Sequence, residues 1–406
     1  MSEEKLVPKL RFSGFDGEWN ETTLSDIATF SKGKGISKKD ISDDGIECVR
    51  YGELYTKYTE MIYNVDSKTN LDENELQLSE KYDILIPCSG ETAIDLATAS
   101  CIQKDQVAIG GDITIIKTNQ YAPFITYYLN QKKTEIAKYA QGVSIVHLYP
   151  KDFNVLNIKI PLIKEQKKIV HILEKISYKE QLLEKKLKSY QDFKKYLMQQ
   201  IFTQKLRFND NNNEPYENWE GLQLKDIISL QGGYAFKSEL FKDEGVPIIR
   251  ISNISPNNSV ILDDLVYYDK LDNDSDFIIK KGELIIAMSG ATTGKVGVYD
   301  LDQIAYINQR VGLFKQISNE LYYPFLIQYT LSDTFKRELQ KTLVAGAQPN
   351  ISKKEIESFK INLPQYGEQK KIADLLFNID LKINTVKNQS TEISQFKKGL
   401  LQQMFV

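Results

Sequence analysis

The sequence Glu165-Gln166-Lys167-Lys168-Ile169 occurs a second time, unchanged, as Glu368-Gln369-Lys370-Lys371-Ile372. Other segments repeat around it in the same order, which indicates internal duplication. The matched pairs are Trp19 and Trp219, Leu24-Ser25-Asp26-Ile27 and Leu224-Lys225-Asp226-Ile227, Arg50 and Arg250, Ser89-Gly90 and Ser289-Gly290, Pro161 and Pro364, and Phe193-Lys194-Lys195 and Phe396-Lys397-Lys398. The period is too long for a solenoid, which indicates that a whole domain has been duplicated.

Each copy ends in a segment with the signature of a long helix. Apolar residues recur there at alternating steps of four and three, which is typical of a coiled-coil seam. They are Ile169, Leu173, Ile176, Leu183, Leu187, Tyr190, Leu197 and Ile201 in the first copy, and Ile372, Leu376, Ile379, Ile383, Val386, Ile393, Leu400 and Met404 in the second. Lys194 and Lys397 interrupt the seam at the same position. Either these lysines specify the register, or the helices splay apart there.

The remainder of each copy has mixed signals. β-rich runs occur at residues 112–117, 246–251 and 283–288, and helices are expected near 123–140 and 324–342. This mixture predicts an α+β class. Chain connectivity favours antiparallel pairing of the two long helices. We therefore predict two duplicated α+β domains separated by a long antiparallel two-helix coiled coil with pseudo-two-fold symmetry. The expected division is 1–160, the helix 161–205, 206–363, and the helix 364–406.

Composition limits the function classes. The chain has 406 residues and a net charge of −3, whereas a compact DNA-binding domain is usually basic, so any nucleic-acid interpretation must rest on local patches. No apolar run approaches the roughly 18 residues that span a membrane. The three cysteines form no close pair in the sequence, which suits a reducing compartment. We therefore expect a cytoplasmic protein with no membrane association.

Sequence motifs for catalysis are incomplete. Gly290-Ala291-Thr292-Thr293-Gly294-Lys295-Val296 resembles a phosphate-binding P-loop, but it is one residue short between the glycines and has Val296 at the metal-binding position. Asn213-Glu214-Pro215-Tyr216 resembles an adenine-methyltransferase loop, but Glu214 breaks it. Two histidines give neither a zinc site nor a triad. We expect no catalytic residues, no metal and no cofactor.

Candidate binding residues are clearer, because they recur at equivalent places in both copies. Glycine-rich loops with cations suit phosphate oxygens, arginine is the commonest reader of guanine, and amides suit adenine. The candidates are Lys32, Lys34, Lys38, Arg50, Tyr51, Ser89 and Thr92 in the first copy, and Tyr234, Lys237, Arg250, Ser252, Asn253, Ser289, Thr292, Thr293, Lys295, Gln309, Arg310 and Gln348 in the second. Each residue alone is more typical of an ordinary polar loop, and it is the recurrence at equivalent places that favours binding.

Over essentially its whole length, the chain resembles the specificity subunits of type I restriction-modification systems. The resemblance rests on the duplicated helix start (Pro161 to Ile169, Pro364 to Ile372), the Leu-Arg-Phe…Trp openings, and Ser289 to Gly297. The openings are Leu10-Arg11-Phe12…Trp19 and Leu206-Arg207-Phe208…Trp219. The first copy has Glu91-Thr92-Ala93-Ile94-Asp95 where a Gly-Lys is expected, which makes Lys295 a better candidate for a backbone contact than any residue at 92–96.

The resemblance implies a non-catalytic subunit in which each domain is a target recognition domain for one half of a split, asymmetric sequence in double-stranded DNA. The coiled coil would set the gap and dock two modification subunits that methylate adenine at N6. Restriction subunits would supply the translocase and nuclease. Adenine would then have to be flipped toward a partner subunit. The alternative is a coiled-coil scaffold whose two heads bind protein or glycan.

Overall fold

A computed structural model describes residues 6–142, 146–344 and 350–406. It divides into two compact units. The first comprises residues 1–184 with 388–406, and the second comprises residues 185–387. Each unit therefore contains one α+β domain together with a part of each long helix.

The first unit is built on two sheets. Its strands are β1 (Asn20–Thr23), β2 (Ala28–Lys32), β3 (Ile41–Ser42), β4 (Ile46–Val49), β5 (Met61–Ile62), β6 (Lys68–Thr69), β7 (Ile84–Pro87), β8 (Ser89–Gly90), β9 (Ser100–Ile102), β10 (Ala108–Ile109), β11 (Ile113–Thr118), β12 (Val146–His147) and β13 (Asn157–Ile160). The sheet orders are β2-β11-β7-β9-β5 and β10-β4-β6-β3, with the separate pairs β1-β13 and β12-β8. Its helices are α1 (Leu24–Ile27), α2 (Tyr51–Thr56), α3 (Ala93–Leu96), α4 (Ala122–Gln131) and α5 (Lys133–Ile136), followed by α6 (Ile163–Phe202), which continues into the second unit.

The second unit repeats this plan. Its strands are β14 (Glu220–Gln223), β15 (Ile228–Gly232), β16 (Val246–Ile249), β17 (Val266–Tyr268), β18 (Ile278–Ile279), β19 (Leu284–Ala287), β20 (Val296–Val298), β21 (Ala305–Ile307), β22 (Val311–Gln316) and β23 (Lys360–Leu363). The orders β15-β22-β19-β20 and β17-β16-β21-β18, and the pair β14-β23, reproduce the first unit's core strands. Its helices are α7 (Tyr323–Leu331), α8 (Asp333–Val344), α9 (Lys353–Glu357) and α10 (Tyr366–Met404), the last of which returns to the first unit.

The predicted short helices are present but broken in two in each copy. In the second unit the break lies at Ser332, whose backbone is extended. Its hydroxyl donates to the Tyr329 carbonyl at 2.6 Å and accepts from the Phe335 amide at 3.3 Å. Ser332 thus ends α7 and caps α8, a role for which Ser-Asp is a strong signal.

The long helices bury most of the residues that the heptad pattern selects, and Leu187, Tyr190, Ile393 and Leu400 are half-buried. In the first unit, Met404 shares a core with Ile169 and Leu173, while Lys397 lies 3.3 Å from Glu180. Residues later in α6 contact residues earlier in α10, so the two segments are antiparallel. In the second unit, Leu197 and Ile201 share a core with Ile372, Leu376, Ile379 and Ile383.

The two seam lysines are paired rather than splayed out. The Lys194 ammonium lies 2.7 Å from each carboxylate oxygen of Asp380, which also accepts from the Gln328 amide at 3.0 Å. Lys397 lies 3.2 Å from Glu60 and 3.3 Å from Glu180. Their side chains are only 12% and 14% exposed. These pairs support a register role over splaying, because a shifted helix would leave a mostly buried ammonium without its carboxylate.

The repeated Glu-Gln at the start of each long helix fastens that helix to its own domain. The Gln166 side chain accepts from the Tyr121 amide at 3.0 Å and donates to the Pro161 carbonyl at 2.9 Å. The Gln369 side chain makes the equivalent bonds to the Tyr322 amide and the Pro364 carbonyl, both at 2.8 Å. Both glutamines are fully buried. This repeated motif therefore fixes the start of each long helix to the domain that precedes it.

Candidate nucleic-acid interface

Four loops of the second unit meet at the end of its sheets, and we call residues 232–234, 250–253, 288–295 and 308–310 the second rim. The Tyr234 amide donates to the Ile307 carbonyl, and the Gln309 amide donates to the Tyr234 carbonyl, both at 2.9 Å. The Asn308 amide donates to the Ile249 carbonyl at 3.0 Å. Backbone bonds thus bring Tyr234, Arg250 and Gln309 to the same edge, although they lie far apart in sequence.

The segment that resembles a P-loop belongs to this rim. The Met288 amide donates to the Arg310 carbonyl at 2.9 Å, and the Thr292 hydroxyl donates to the Ile251 carbonyl at 3.3 Å. Ser289, Thr292, Thr293 and Lys295 therefore lie between the loop of Arg310 and the loop of Arg250. Each of these four residues is half-buried.

The first unit has an equivalent edge, and we call residues 32–34, 49–51, 88–90, 110–112 and 147–151 the first rim. The Lys34 amide donates to the Ile109 carbonyl and the Gly110 amide to the Val49 carbonyl, both at 2.9 Å. The Cys88 amide donates to the Asp112 carbonyl at 2.7 Å. Lys32, Lys34, Arg50 and Ser89 are brought together in this way.

Two glycines show how tightly each rim is closed. A Cβ on Gly33 would lie 2.1 Å from the Gly110 carbonyl oxygen, and one on Gly233 would lie 2.2 Å from the Ile307 carbonyl oxygen. Such distances are far inside van der Waals contact, so only glycine lets the loop reach the neighbouring strand. The same requirement at equivalent positions explains why the glycine-rich loops occur in both copies.

The structure exposes some predicted residues and half-buries others. Lys32, Lys34, Lys38, Tyr51 and Thr92 are exposed in the first unit, and Tyr234, Lys237, Ser252, Gln309 and Arg310 in the second. Lys38 and Lys237 stand at the short 3-10 turns Lys38–Asp40 and Ser238–Leu240, which follow the glycine loops and form no hydrogen bond with the rims among the described residues. The Thr92 hydroxyl accepts from the Asp95 amide at 3.2 Å and caps α3.

Arg50 and Arg250 are equivalent in place and in surroundings. Each begins a short helical turn and is half-buried. In both, Nε is buried and has no hydrogen-bond partner among the described residues. The Arg250 Nη2 donates to the Asp264 carbonyl at 2.5 Å, while the Arg50 Nε lies 3.8 Å from the Glu53 carboxylate. Both guanidinium groups are thus held at the rim by their own loops.

Asn253 requires a correction, because the structure places it inside the loop. Its side chain is 1% exposed. Its amide oxygen accepts from the Arg250 amide at 3.0 Å, and its amide nitrogen donates to the carbonyls of Ile261 and Asp263 at 3.4 and 3.1 Å. Every polar atom is used in shaping the loop, so we leave Asn253 out of the proposed interface. Gln348, also predicted, lies outside the described residues.

Three residues of the first rim, His147, Tyr149 and Lys151, were not predicted from the sequence. The His147 ring nitrogen Nδ1 lies 3.1 Å from the Ser89 hydroxyl, and its ring stacks on Tyr149 at 6.1 Å. The ammonium groups of Lys32 and Lys151 each lie 5.7 Å from the centre of the Tyr149 ring. The sequence shows an aromatic residue between two basic ones, but not that Lys32 joins them from a distant strand.

The three cysteines are buried free thiols. Burial raises the pKa of Cys48 to about 11 and that of Cys101 to about 12. Burial also raises the pKa of Cys88, which is adjacent to Ser89 in the first rim. All three therefore stay protonated at neutral pH, and a reactive thiolate is disfavoured at this site.

A family model for the type I restriction modification DNA specificity domain matches this chain twice, over residues 16–213 and 216–395. The chain belongs to this family. The two matched segments correspond to the two copies found by internal comparison, so the recognised resemblance and the two-domain α+β class are confirmed. As a member of the type I specificity family, the chain is a non-catalytic specificity subunit with two target recognition domains.

Individual relatives agree with this assignment. The specificity subunit of the type I restriction enzyme MjaVIII from Methanocaldococcus jannaschii is 26% identical over 397 residues, covering 95% of this chain and 91% of the relative. That of EcoAI from Escherichia coli is 26% identical over 179 residues, covering 42% of this chain and 30% of the relative.

Solved structures share the fold. The S subunit of a type I restriction-modification system from M. genitalium superposes with a TM-score of 0.68 at 16% identity, covering 98% of this chain and 99% of that one. A structure described as concerning complex assembly and conformational transition of the type I R-M system gives 0.54 at 15% identity, covering 95% and 97%. The alternative of a scaffold with protein- or glycan-binding heads is not favoured. Among the described residues, no helix is long and apolar enough to cross a membrane.

Proposed function

We propose that each domain of this specificity subunit reads one half of a split, asymmetric sequence in double-stranded DNA through its rim. The observation that carries the proposal is the structural correspondence between the two rims. Their loops are joined by equivalent backbone hydrogen bonds, but the exposed side chains differ: Lys32 and Lys34 occur where Gly232 and Tyr234 occur. A shared scaffold with different loop residues suits recognition of two different sequences.

The proposed contacts follow from chemistry. Exposed Lys32, Lys34 and Lys237 suit phosphate oxygens, while Arg310, Gln309, Arg50 and Arg250 carry the donors that read base edges. Tyr51, Ser89, Thr92, Tyr234, Ser252, Ser289, Thr292, Thr293 and Lys295 complete the proposed surface, with Lys38 at its margin. Most of these residues lie at the rims, and the others lie beside them. Exposed side chains such as Lys32, Lys34 and Arg310 support the assignment most directly.

The division of labour along the chain is also part of the proposal. Residues 1–160 and 206–363 form the recognition domains, while residues 161–205 and 364–406 form helices that set the half-site gap and dock the modification subunits. The side chains of Phe193 and Phe396 are 50% and 56% exposed. They support a docking role, because large apolar side chains on an outer helix face favour association.

The complete assembly would contain this subunit, two modification subunits that methylate adenine at N6, restriction subunits with translocase and nuclease activity, and DNA in the cytoplasm. Partner subunits would supply part of the positive surface, which reconciles DNA binding with a net charge of −3. This chain would contribute sequence recognition and the other subunits the chemistry.

The decisive experiment is methylome sequencing of cells that express this chain with its modification subunits. We expect methylated adenines in a two-part motif with a fixed gap. Replacing residues 1–160 by the corresponding domain of another specificity subunit should change one half of the motif and leave the other half and the gap unaltered. A change in both halves would contradict the assignment of one half to each domain.

A further inference from the structure

Tyr149 lies at the centre of a small cationic cluster in the first rim. Its side chain is 38% exposed, and the ammonium groups of Lys32 and Lys151 each approach within 5.7 Å of its ring centre. Lys32 comes from the end of β2, whereas Lys151 follows Tyr149 on the next turn. The ring therefore keeps two ammonium groups from separate parts of the chain beside one exposed aromatic surface.

Neither ammonium is neutralised. Within the described part of the chain, Lys32 and Lys151 form no ion pair with a carboxylate, in contrast to Lys104, 2.5 Å from Glu47, and Lys117, 2.5 Å from Glu80. The nearest carboxylate in sequence, Asp152, accepts from the Tyr149 amide at 2.8 Å and so caps the turn. Two unpaired cations beside an exposed ring form a site suited to an anion.

His147 is held beside this site from two directions. Its strand pairs antiparallel with the strand of Ser89, and the Ser89 hydroxyl lies 3.1 Å from Nδ1. The Tyr149 ring packs on its face at 6.1 Å with an interplanar angle of 19°. The second ring nitrogen has no hydrogen-bond partner among the described residues. An imidazole fixed at one nitrogen and one face can present its other nitrogen to a ligand at low entropic cost.

Among the residues that the structure describes, the second rim has no such cluster. The Leu148 amide donates to the Cys88 carbonyl at 3.0 Å, and the Ile351 amide donates to the Met288 carbonyl at 2.9 Å. These equivalent bonds align His147 with Asn350 and Tyr149 with Ser352, while Lys32 corresponds to Gly232 in the paired strands. At these equivalent positions the second unit therefore has neither the imidazole nor the aromatic ring, and it has glycine in place of Lys32.

We propose that Lys32, Lys151, Tyr149 and His147 form a second DNA-contacting cluster of the first recognition domain, beside Arg50. The two lysines hold backbone phosphates on either side of Tyr149, and His147 contacts the edge of a neighbouring base. This inference rests on the proposed function and extends it by naming further residues through which the first domain contacts its half-site.

The phosphate role is tested by the salt dependence of binding. The assembled methyltransferase complex is titrated with duplex DNA that carries the wild-type motif, over a range of salt concentrations. Each phosphate contact contributes about 0.9 to the slope of log K against log salt, so replacing Lys32 and Lys151 by alanine should reduce the slope by about 2. The control replaces Lys104 and Lys117, which are already paired, and should leave the slope unaltered.

The base-reading role is tested by the methylome of His147→Ala. We expect at least a tenfold loss of discrimination at one base pair, confined to the half-site that exchange of residues 1–160 identifies. Asn350→Ala, at the equivalent place in the second rim, should leave that half-site unaltered. Melting temperatures of both variants separate a local effect from unfolding, and the exposed lysine variants test the cluster without touching the fold.

The outcomes separate the two proposals. A wild-type methylome without a two-part motif would overturn the proposed function. A two-part motif that persists in full in His147→Ala, together with an unchanged salt slope in the double lysine variant, would overturn the cluster assignment and leave the proposed function standing.

Discussion

Arg207 and Glu368, which are 161 residues apart in the chain, form a two-point ion pair in the second unit. Arg207 Nε lies 2.8 Å from one carboxylate oxygen of Glu368 and Nη2 lies 2.9 Å from the other. Arg11 and Glu165 form the same pair in the first unit, with both distances 2.9 Å. The Leu-Arg-Phe opening and the Glu-Gln helix start, which carried the family resemblance, are thus two sides of one contact.

Glu368→Gln should strongly destabilise the second unit. The carboxylate is fully buried, and removing its charge leaves the Arg207 guanidinium without compensation. Breaking a buried pair in this way costs about 3–5 kcal/mol. The measurement is the free energy of unfolding by denaturant. Asp269→Asn removes an exposed pair with Lys242 in the same unit and should cost less than about 1 kcal/mol. Equal losses would contradict the importance of burial.

Trp219→Phe should cost more stability than Trp19→Phe. The Trp219 indole donates to Glu368 at 2.9 Å, whereas Nε1 of Trp19 is buried and has no hydrogen-bond partner among the described residues. A hydrogen bond to a charged acceptor contributes about 1.5–3 kcal/mol, and both substitutions remove the same ring volume. Denaturant unfolding of the two variants provides the comparison. An equal or larger loss from Trp19→Phe would refute this difference.

Asp83→Asn should stabilise the first unit at neutral pH. Burial raises the pKa of Asp83 above its unfolded value of about 4, so ionisation is harder in the folded state. The contribution of Asp83 to stability is therefore fully present below pH ~4 and is lost as pH rises through the folded pKa. Asparagine can still accept the Glu80 amide hydrogen bond, 2.9 Å long in the natural protein, without a charge.

The gain from Asp83→Asn should disappear as the pH falls toward ~4, which denaturant unfolding at several pH values would reveal. Glu283→Gln is the matched control, because Glu283 occupies the equivalent place and pairs with Lys315 at 2.5 Å. It should give no gain at neutral pH. A gain from Asp83→Asn that is constant with pH would indicate a cause other than ionisation.

Inserting one heptad into both long helices should lengthen the half-site gap. Suitable positions lie between Glu180 and Lys194 in α6 and between Asp380 and Lys397 in α10, because both seam ion pairs then keep their partners. Seven residues at about 1.5 Å each add about 10 Å, or about three base pairs of DNA. Methylome sequencing measures the gap.

The same insertion in α6 alone is the control, because it shifts one helix against the other and separates a seam lysine from its carboxylate. It should abolish assembly or methylation. Full activity and an unchanged gap after the double insertion would contradict the spacing role of the helices.

Local periodicity was enough to predict the long helices and the duplication. The predicted seam residues, such as Ile169, Leu173 and Ile372, are buried. A heptad pattern places apolar residues along one side of a helix, and a second helix packs against that side. The break at Ser332 was missed, although Ser332-Asp333 is a recognisable capping sequence.

The rims were harder to predict because they are built from long-range backbone contacts. Arg250 and Gln309 could be selected by residue type, but nothing in their spacing shows that they share one edge. Asn253 looked like a reader of bases until its burial was known, and Tyr149 was overlooked because Lys32 reaches it from another strand. Residue type indicates what a side chain can bind, whereas only the fold determines whether that side chain lies in the interior or is exposed at the rim.

The closure of each rim by main-chain atoms has a consequence for how new recognition sequences could arise. The bonds from Lys34 to Ile109 and from Tyr234 to Ile307 use amides and carbonyls that every residue other than proline possesses. Gly33 and Gly233 are sterically constrained at this junction, because a Cβ there would overlap a neighbouring carbonyl oxygen. Substitutions at the neighbouring exposed positions should therefore leave folding almost untouched, and if the rims read DNA, a different target could be acquired by a few codon changes while the architecture is kept.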